Sequence, residues 1–248
     1  MSLSVSKCGS LLIVDNSKHC VDHDLLLNSV SLSALDSVKD LGVIMDKRLC
    51  FTEHIDGVIA KSKQRIYLLF KAFRSREVSL MVFAFKTYIL PLLDYCCPVW
   101  SPYKLQDIDR LEKVQRSFTK KLHGLNSLNY SERLQTCNLP SLELRRLWSD
   151  LVLCYKIVHK LVELNFDDFF EFECNKYSTR GHMFKLRIPK IVNCIRKNFF
   201  SIRVLPIWNH LSSEIVSAPS AASFKAMIKL TDFSKFLNRN FDVHTKCD

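Results

Sequence analysis

Three short stretches hold residue types that could do chemistry. Cys96 and Cys97 stand side by side in LLDYCCPVWSP, residues 92–102, between Tyr95 and Trp100. A structural zinc site draws its cysteines from pairs about two to four residues apart, and uses two such pairs. Adjacent cysteines do not converge comfortably on one tetrahedral ion, and C-x-x-C occurs nowhere in the chain. They read as two small apolar residues closing a helix before Pro98. His19, Cys20 and His23 come closer to ligand spacing, but the second half of a zinc site is missing and the segment reads as a hairpin. Asp167 and Asp168, in NFDDFFEF, are the carboxylate pair that could hold the magnesium ions of a nucleotidyl transferase. Such a site needs a third carboxylate and a rigid strand pair to present it. Here the two aspartates follow a long helix and open an irregular loop, which is turn chemistry. The chain has no G-x-S-x-G, H-E-x-x-H, P-loop or G-x-G-x-x-G.

The cations remain. A formal net charge of +11 suits a polyanionic partner, nucleic acid or an acidic membrane face. The charge is uneven. Residues 1–40 hold three lysines against five aspartates. Residues 57–76 hold Lys61, Lys63, Arg65, Lys71, Arg74 and Arg76 and no acid. Residues 174–213 hold Lys176, Arg180, Lys185, Arg187, Lys190, Arg196, Lys197 and Arg203, again with no acid. Between these windows Arg110, Lys113, Arg116, Lys120 and Lys121 recur, mostly opposite the apolar stripe of a helix. Lys and Arg on a rigid helix can track phosphates and give affinity without reading sequence. The candidate nucleic-acid-binding residues are therefore Lys61, Lys63, Arg65, Arg110, Lys113, Arg116, Lys120, Lys121, Arg187, Arg196, Lys197 and Arg203. The plainer reading is a set of solvated basic faces. Phe199, Phe200 and Trp208 alternate with the last three cations; such aromatics stack on unpaired bases or form the core of an amphipathic helix.

The elements that must position these residues follow from periodicity. Residues 10–15 (SLLIVD) read as a buried strand and residues 38–45 as another, with a hairpin or short meander between them. From Thr52, a plausible N-cap, the period turns helical through Ile55, Ile59, Ile66 and Leu69. Ser75 is the expected cap of a second helix, kinked at Pro91. A third runs over 104–123 and stops at Gly124; a short one covers 131–137; a long one starts at Pro140 and Ser141. Residues 165–180 read as a loop, 182–188 as a strand, 195–211 and 220–230 as helices, and the tail beyond Phe233 as frayed. The fold class is mainly α, with a short N-terminal β-hairpin, a helical bundle and an irregular α-rich C-terminal region. The 48% hydrophobic content supplies a core, and five glycines leave little room for flexible linkers. No run approaches the ~18–20 apolar residues that cross a membrane, and Met1–Ser10 lacks the apolar stretch of a signal peptide. The ten cysteines then read as small apolar residues in a reducing intracellular compartment, cytoplasm or nucleus.

Several segments, in order, resemble one family. KDLGVIMDKRLCFTEHI, a basic helix and Phe73-Arg74-Ser75-Arg76 resemble the end of the palm and start of the thumb in reverse transcriptases of LINE-type (non-LTR) retrotransposons, jockey-like clade. LPLLDYCCPVWSP is similar to that family's thumb segment, and DIDRLEKVQRSFTKKLHGL, YSERLQTCNLPSLELRRLWSDL and YKIVHKL follow in the same order. TRGHMFKL, RKNFFSIRVLPIWNHL and APSAASFK resemble its C-terminal tail. The resemblance covers residues 5–230 and implies a palm-end β remnant at 1–50, a helical thumb at 51–164, a loop at 165–180 and a basic C-terminal region at 181–248. It implies RNA, DNA or an RNA–DNA hybrid as partner, and no membrane. The family's catalytic aspartates belong upstream of the strands that open this chain, and Asp167-Asp168 falls after the thumb. The chain thus reads as a gripping fragment with no catalytic residue, metal ligand or cofactor of its own; the magnesium of the complete enzyme has no ligands here. A structural remnant of a decayed element, self-associating through the truncated palm edge, is the alternative. Polymerase action would need carboxylates from another chain.

Overall fold

The helical period that begins at Thr52 forms one long helix in the computed structural model, α1 (Thr52–Ala72), and most of the chain after it is helical. The structure describes residues 8–13, 25–27, 29–173, 182–191 and 194–239. It is mainly α with small N-terminal β elements. Residues 14–24, with His19, Cys20 and His23, lie outside the described residues.

The β part consists of two-stranded pieces. β1 (Gly9–Ser10) pairs in parallel with β4 (Ser33–Ala34), and β2 (Leu26–Leu27) pairs antiparallel with β3 (Val30–Ser31). The strand expected over 10–15 does not form at residues 11–13. The single strand expected over 38–45 is a hairpin: β5 (Ser37–Asp40) pairs with β6 (Val43–Asp46) in the register Ser37↔Asp46 to Asp40↔Val43. Leu41 at φ 44° and Gly42 at φ 90° make the turn. Two positive φ values suit the right-handed twist of the flanking strands.

Several helix starts differ from expectation. Thr52 does not cap α1. Phe51 holds the cap position at φ 56° with no side-chain cap. The Asp46 carboxylate organises the approach, accepting from the backbone N–H groups of Arg48, Cys50 and Phe51. The second helix, α2 (Val78–Tyr88), is capped by Glu77, which accepts from Ser79 N and Leu80 N; Ser75 accepts only from Glu77 N. Pro91 gives a break in place of a kink. It lies in the first turn of a separate short helix, α3 (Leu90–Asp94), where its missing N–H costs no hydrogen bond.

The turn α4 (Cys97–Trp100) leads to α5 (Leu105–Thr119). A capping box at Asn129 and Glu132 starts α6 (Tyr130–Cys137), and Ser141 caps α7 (Leu142–Val158). After a 3-10 turn at Phe166–Asp168, the strand expected at 182–188 is reduced to one bridge, Phe172↔Leu186. The helix expected over 195–211 is three short ones: α8 (Cys194–Lys197), α9 (Phe200–Arg203) and α10 (Leu205–Trp208). Pro206, in the first turn of α10, has no N–H for a continuous helix. α11 (Ser213–Val216) and α12 (Ala221–Lys229) follow, the latter close to the helix expected over 220–230 and capped by Ser220. The tail is held rather than frayed as far as Arg239. Phe233 is fully buried, and Glu143 accepts from Asn238 N, Asn238 Nδ2 and Arg239 N.

Two hydrophobic cores meet on α7. One gathers residues from Val43 to Leu142, around Ile55, Phe85, Leu111 and Phe118. The other gathers residues from Leu144 to Phe233, around Leu151, Trp208 and Phe224. Along α7 runs a buried polar seam, in which Glu112, Glu143 and Asp150 surround Arg146.

Candidate nucleic-acid interface

α1 and α5 lie side by side and parallel. Arg110 near the start of α5 pairs with Asp56 near the start of α1, and near their ends Phe70 meets Phe118 with ring centroids 5.6 Å apart. Helical spacing places Lys63, Tyr67 and Phe70 on the edge of α1 that carries Asp56. On α5 the same spacing places Arg110 and Ser117 toward α1, and Lys121, two residues past its end, reaches the Phe70 ring of α1. The two helix ends converge on one ring: the Arg76 guanidinium lies 4.3 Å from the Phe70 centroid and the Lys121 ammonium 5.5 Å from it. The Arg76 backbone is anchored to the turn after α5, since its carbonyl accepts from His123 N at 3.0 Å. Arg76 Nη1 is shielded from solvent and has no acceptor. Cations here also complement the negative ends of both helix dipoles, which is the structural reason for their placement.

Nine of the twelve candidate cations fall into four groups. Lys63 and Lys121 belong to this α1–α5 strip and are exposed. Lys113 and Lys120 are exposed on the outer face of α5. Lys61 and Arg65, one turn apart on α1, face α2, where Arg65 Nη1 donates to the Tyr88 carbonyl at 2.9 Å. Arg187, Arg196 and Lys197 are exposed in the second half of the chain, and Arg187 is paired to Glu171 at 2.8 Å.

Three expected contacts are engaged within the protein. Arg110 is divided between Asp56 and Asp107. Arg116 lies over the Tyr130 ring, 4.8 Å from its centroid. Arg203 is structural: its guanidinium donates to both oxygens of buried Asp150 at 2.8 Å, to the Asn198 carbonyl at 2.9 Å and to the Pro98 carbonyl at 2.7 Å. Burial pushes the Asp150 carboxyl pKa up, against the pull of Arg203 and Arg146. An acid-free sequence window does not show that an acid 53 residues away supplies the partner. Conversely, the strip also holds Arg76 and Tyr67, which the sequence reading does not single out as candidates. Tyr67 is 64% exposed beside Lys63, and its place in the basic window was the available signal.

The other chemistry-bearing residues resolve into packing. Cys97 is buried, and burial pushes its thiol pKa up to about 11. Cys96 departs from expectation: it is exposed at φ 50°, so size does not explain it. The stretch around them is a junction. Tyr95 Oη donates to the Leu41 carbonyl in the hairpin turn, and buried Trp100 donates to the Tyr95 carbonyl and meets the His54 ring at 5.0 Å. Phe199 is exposed, Phe200 half-buried and Trp208 fully buried, so only the last is fully core. Asp167 and Asp168 are exposed in their 3-10 turn, with Asn165 donating to Asp168. Among the described residues no group of three or more His, Cys, Asp and Glu side chains could hold a metal ion. No described helix is long and apolar enough to cross a membrane.

No family model matches the chain, and no solved structure matches it. An uncharacterized protein of Caenorhabditis elegans is 28% identical over 115 residues, which cover 45% of this chain and 58% of that protein. The matched region thus spans a little over half of that relative's length.

Proposed function

We propose that this chain grips the backbone of a nucleic acid, as the thumb and tail part of a reverse transcriptase of the non-LTR, jockey-like kind, without polymerase activity of its own. The observation that supports it best is the α1–α5 strip. Arg76, with an unmet donor, and Lys121 share the Phe70 ring, and Lys63 and Tyr67 continue along the same edge of α1. Cations beside an exposed aromatic suit phosphates and stacked bases, with little reading of sequence. The order of motifs from KDLGVIMDKRLCFTEHI to APSAASFK adds the family resemblance. The motifs resembled are those of the family's thumb and tail, so gripping is the activity assigned.

The test is fluorescence anisotropy with a labelled RNA–DNA hybrid and a DNA duplex at two salt concentrations, with an acidic protein as control. Binding is expected to both nucleic acids and to weaken steeply with salt. K63Q/R76Q/K121Q is expected to weaken it at least about tenfold and to lower the salt slope by about two to three. Salt-insensitive binding, or equal binding to the acidic protein, overturns the reading.

A second reading has its own observation. Leu68, Phe83 and Tyr88 are 52%, 69% and 55% exposed along α1 and α2, beside a groove of about 310 Å³ walled by Leu68, Ala72, Phe73 and Tyr88. An apolar surface of this kind fits a structural remnant that associates with itself there or through the β5–β6 edge. Oligomers in sedimentation velocity that do not bind nucleic acid decide for it.

A further inference from the structure

A second groove, of about 290 Å³, opens where α3, α7 and α12 meet. Its apolar wall is Trp148 with Val152 of α7 and Ile228 of α12. Lys225 and Lys229, one turn apart on α12 and both exposed, line it from the other side. Arg145 closes one end, paired with Asp94. The lining therefore holds three cations against one carboxylate. Trp148 is only half-buried, and its Nε1–H is shielded without an acceptor. Elsewhere the chain's tryptophans are fully enclosed: Trp100 and Trp208 are 0% exposed. Glu143 and Asp150 occupy another side of α7, so the internal polar seam does not neutralise these lysines.

We propose that this groove holds one unpaired nucleotide of a nucleic-acid strand, the base against the Trp148 indole and the phosphate at Lys225 and Lys229. An indole wall accepts the flat face of any base, and two ammonium groups one helical turn apart meet a phosphate without demanding a sequence. The volume is on the scale of one small ligand and excludes a duplex. An acidic peptide carrying an aromatic side chain is the rival occupant. The excess positive charge and the planar wall favour the nucleotide. The site goes beyond the proposed function, since it uses α7 and α12 in place of α1 and α5 and stands or falls separately.

Because Trp100 and Trp208 are enclosed, quenching of tryptophan emission by a stacked base reports Trp148. The experiment titrates pentathymidylate into the full chain, with a DNA duplex of equal phosphate content and a Glu/Tyr-rich peptide as comparisons. Saturable quenching is expected with pentathymidylate and not with the duplex. K225Q/K229Q should weaken it at least about tenfold, with circular dichroism unchanged because both lysines are exposed. W148F should abolish the signal, and K63Q/R76Q/K121Q should retain it. The proposal is overturned by absent quenching, by an equal response to the duplex, by unchanged affinity in K225Q/K229Q or by tighter binding of the peptide. Hybrid binding without quenching removes this site and leaves the α1–α5 reading standing; quenching without hybrid binding does the reverse.

Discussion

Adjacent cysteines in one motif have opposite fates, and the backbone decides which. Cys96 takes a left-handed conformation at φ 50°, which turns its side chain to solvent, while Cys97 begins α4 and is buried. A thiolate in that buried place would be desolvated, so the thiol stays protonated and unreactive at neutral pH. Alkylation of the native protein is therefore expected to label Cys96 and spare Cys97, as peptide mass mapping would show. Cys97→Ser should cost about 1–3 kcal/mol in urea unfolding, since a buried hydroxyl is dearer than a thiol. Cys96→Ser should stay within about 0.5 kcal/mol. Equal costs at both positions would contradict the assignment. Residue types alone read the pair as two small apolar residues, which holds for Cys97 and not for Cys96; the asymmetry depends on one φ angle that no residue type announces. Arg203 shows the same limit, because its partner Asp150 comes from another helix.

At the scale of elements, long periodic helices were legible and their boundaries less so. The stripe Ile55, Ile59, Ile66 and Leu69 placed α1, and the starts of α7 at Pro140 and Ser141 and of α12 at Ser220 were legible to within a residue or two, with Ser141 and Ser220 as the caps. Misreadings arose where two residues competed for one role. Ser75 and Glu77 both precede α2, and the preference for hydroxyls at caps favoured Ser75. Glu77 wins because its longer side chain accepts from both Ser79 N and Leu80 N and sits at the positive helix end. The Ser79 hydroxyl, donating to the carboxylate at 2.6 Å, and after it these two backbone bonds hold the Glu77 carboxyl below its ordinary pKa. Glu77→Ala should therefore lower the melting temperature by about 2–4 °C, and Ser75→Ala by less. Calorimetry giving the reverse order would restore Ser75 as the cap. The hairpin at Leu41–Gly42 was missed because Leu is a poor residue for positive φ, and tertiary contact supplies the difference: Tyr95 Oη anchors the Leu41 carbonyl at 2.8 Å.

For the whole molecule, the decisive fact is that two cores share α7, with one buried histidine serving each side. His54 packs on Trp100, and its Nδ1 accepts from Ile44 N at 3.3 Å while Nε2 has no partner. His182 donates from Nε2 to the Trp208 carbonyl at 3.2 Å, and its Nδ1 has no partner. Burial lowers both pKa values below the ordinary 6.5, helped at His54 by Lys61; at His182 it outweighs the bond to the Trp208 carbonyl, which pulls the other way, with a smaller push from Lys185. The unfolded chain then binds protons that the folded chain refuses, so stability is fully present above about pH 6.5 and falls as pH drops below it. Urea unfolding between pH 7.5 and 5.5 is expected to lose midpoint steadily. His54→Asn keeps an acceptor for Ile44 N, and His182→Gln keeps a donor for Trp208; each should flatten that decline. Unfolding followed by tryptophan emission and by circular dichroism adds the test of coupling. If α7 binds the two cores into one cooperative unit, either substitution shifts a single transition seen by both probes. If each substitution shifts a different one of two transitions, the polar seam of Glu112, Glu143, Arg146 and Asp150 divides units that fold separately. An unchanged pH slope in the double variant would remove the histidines as its cause.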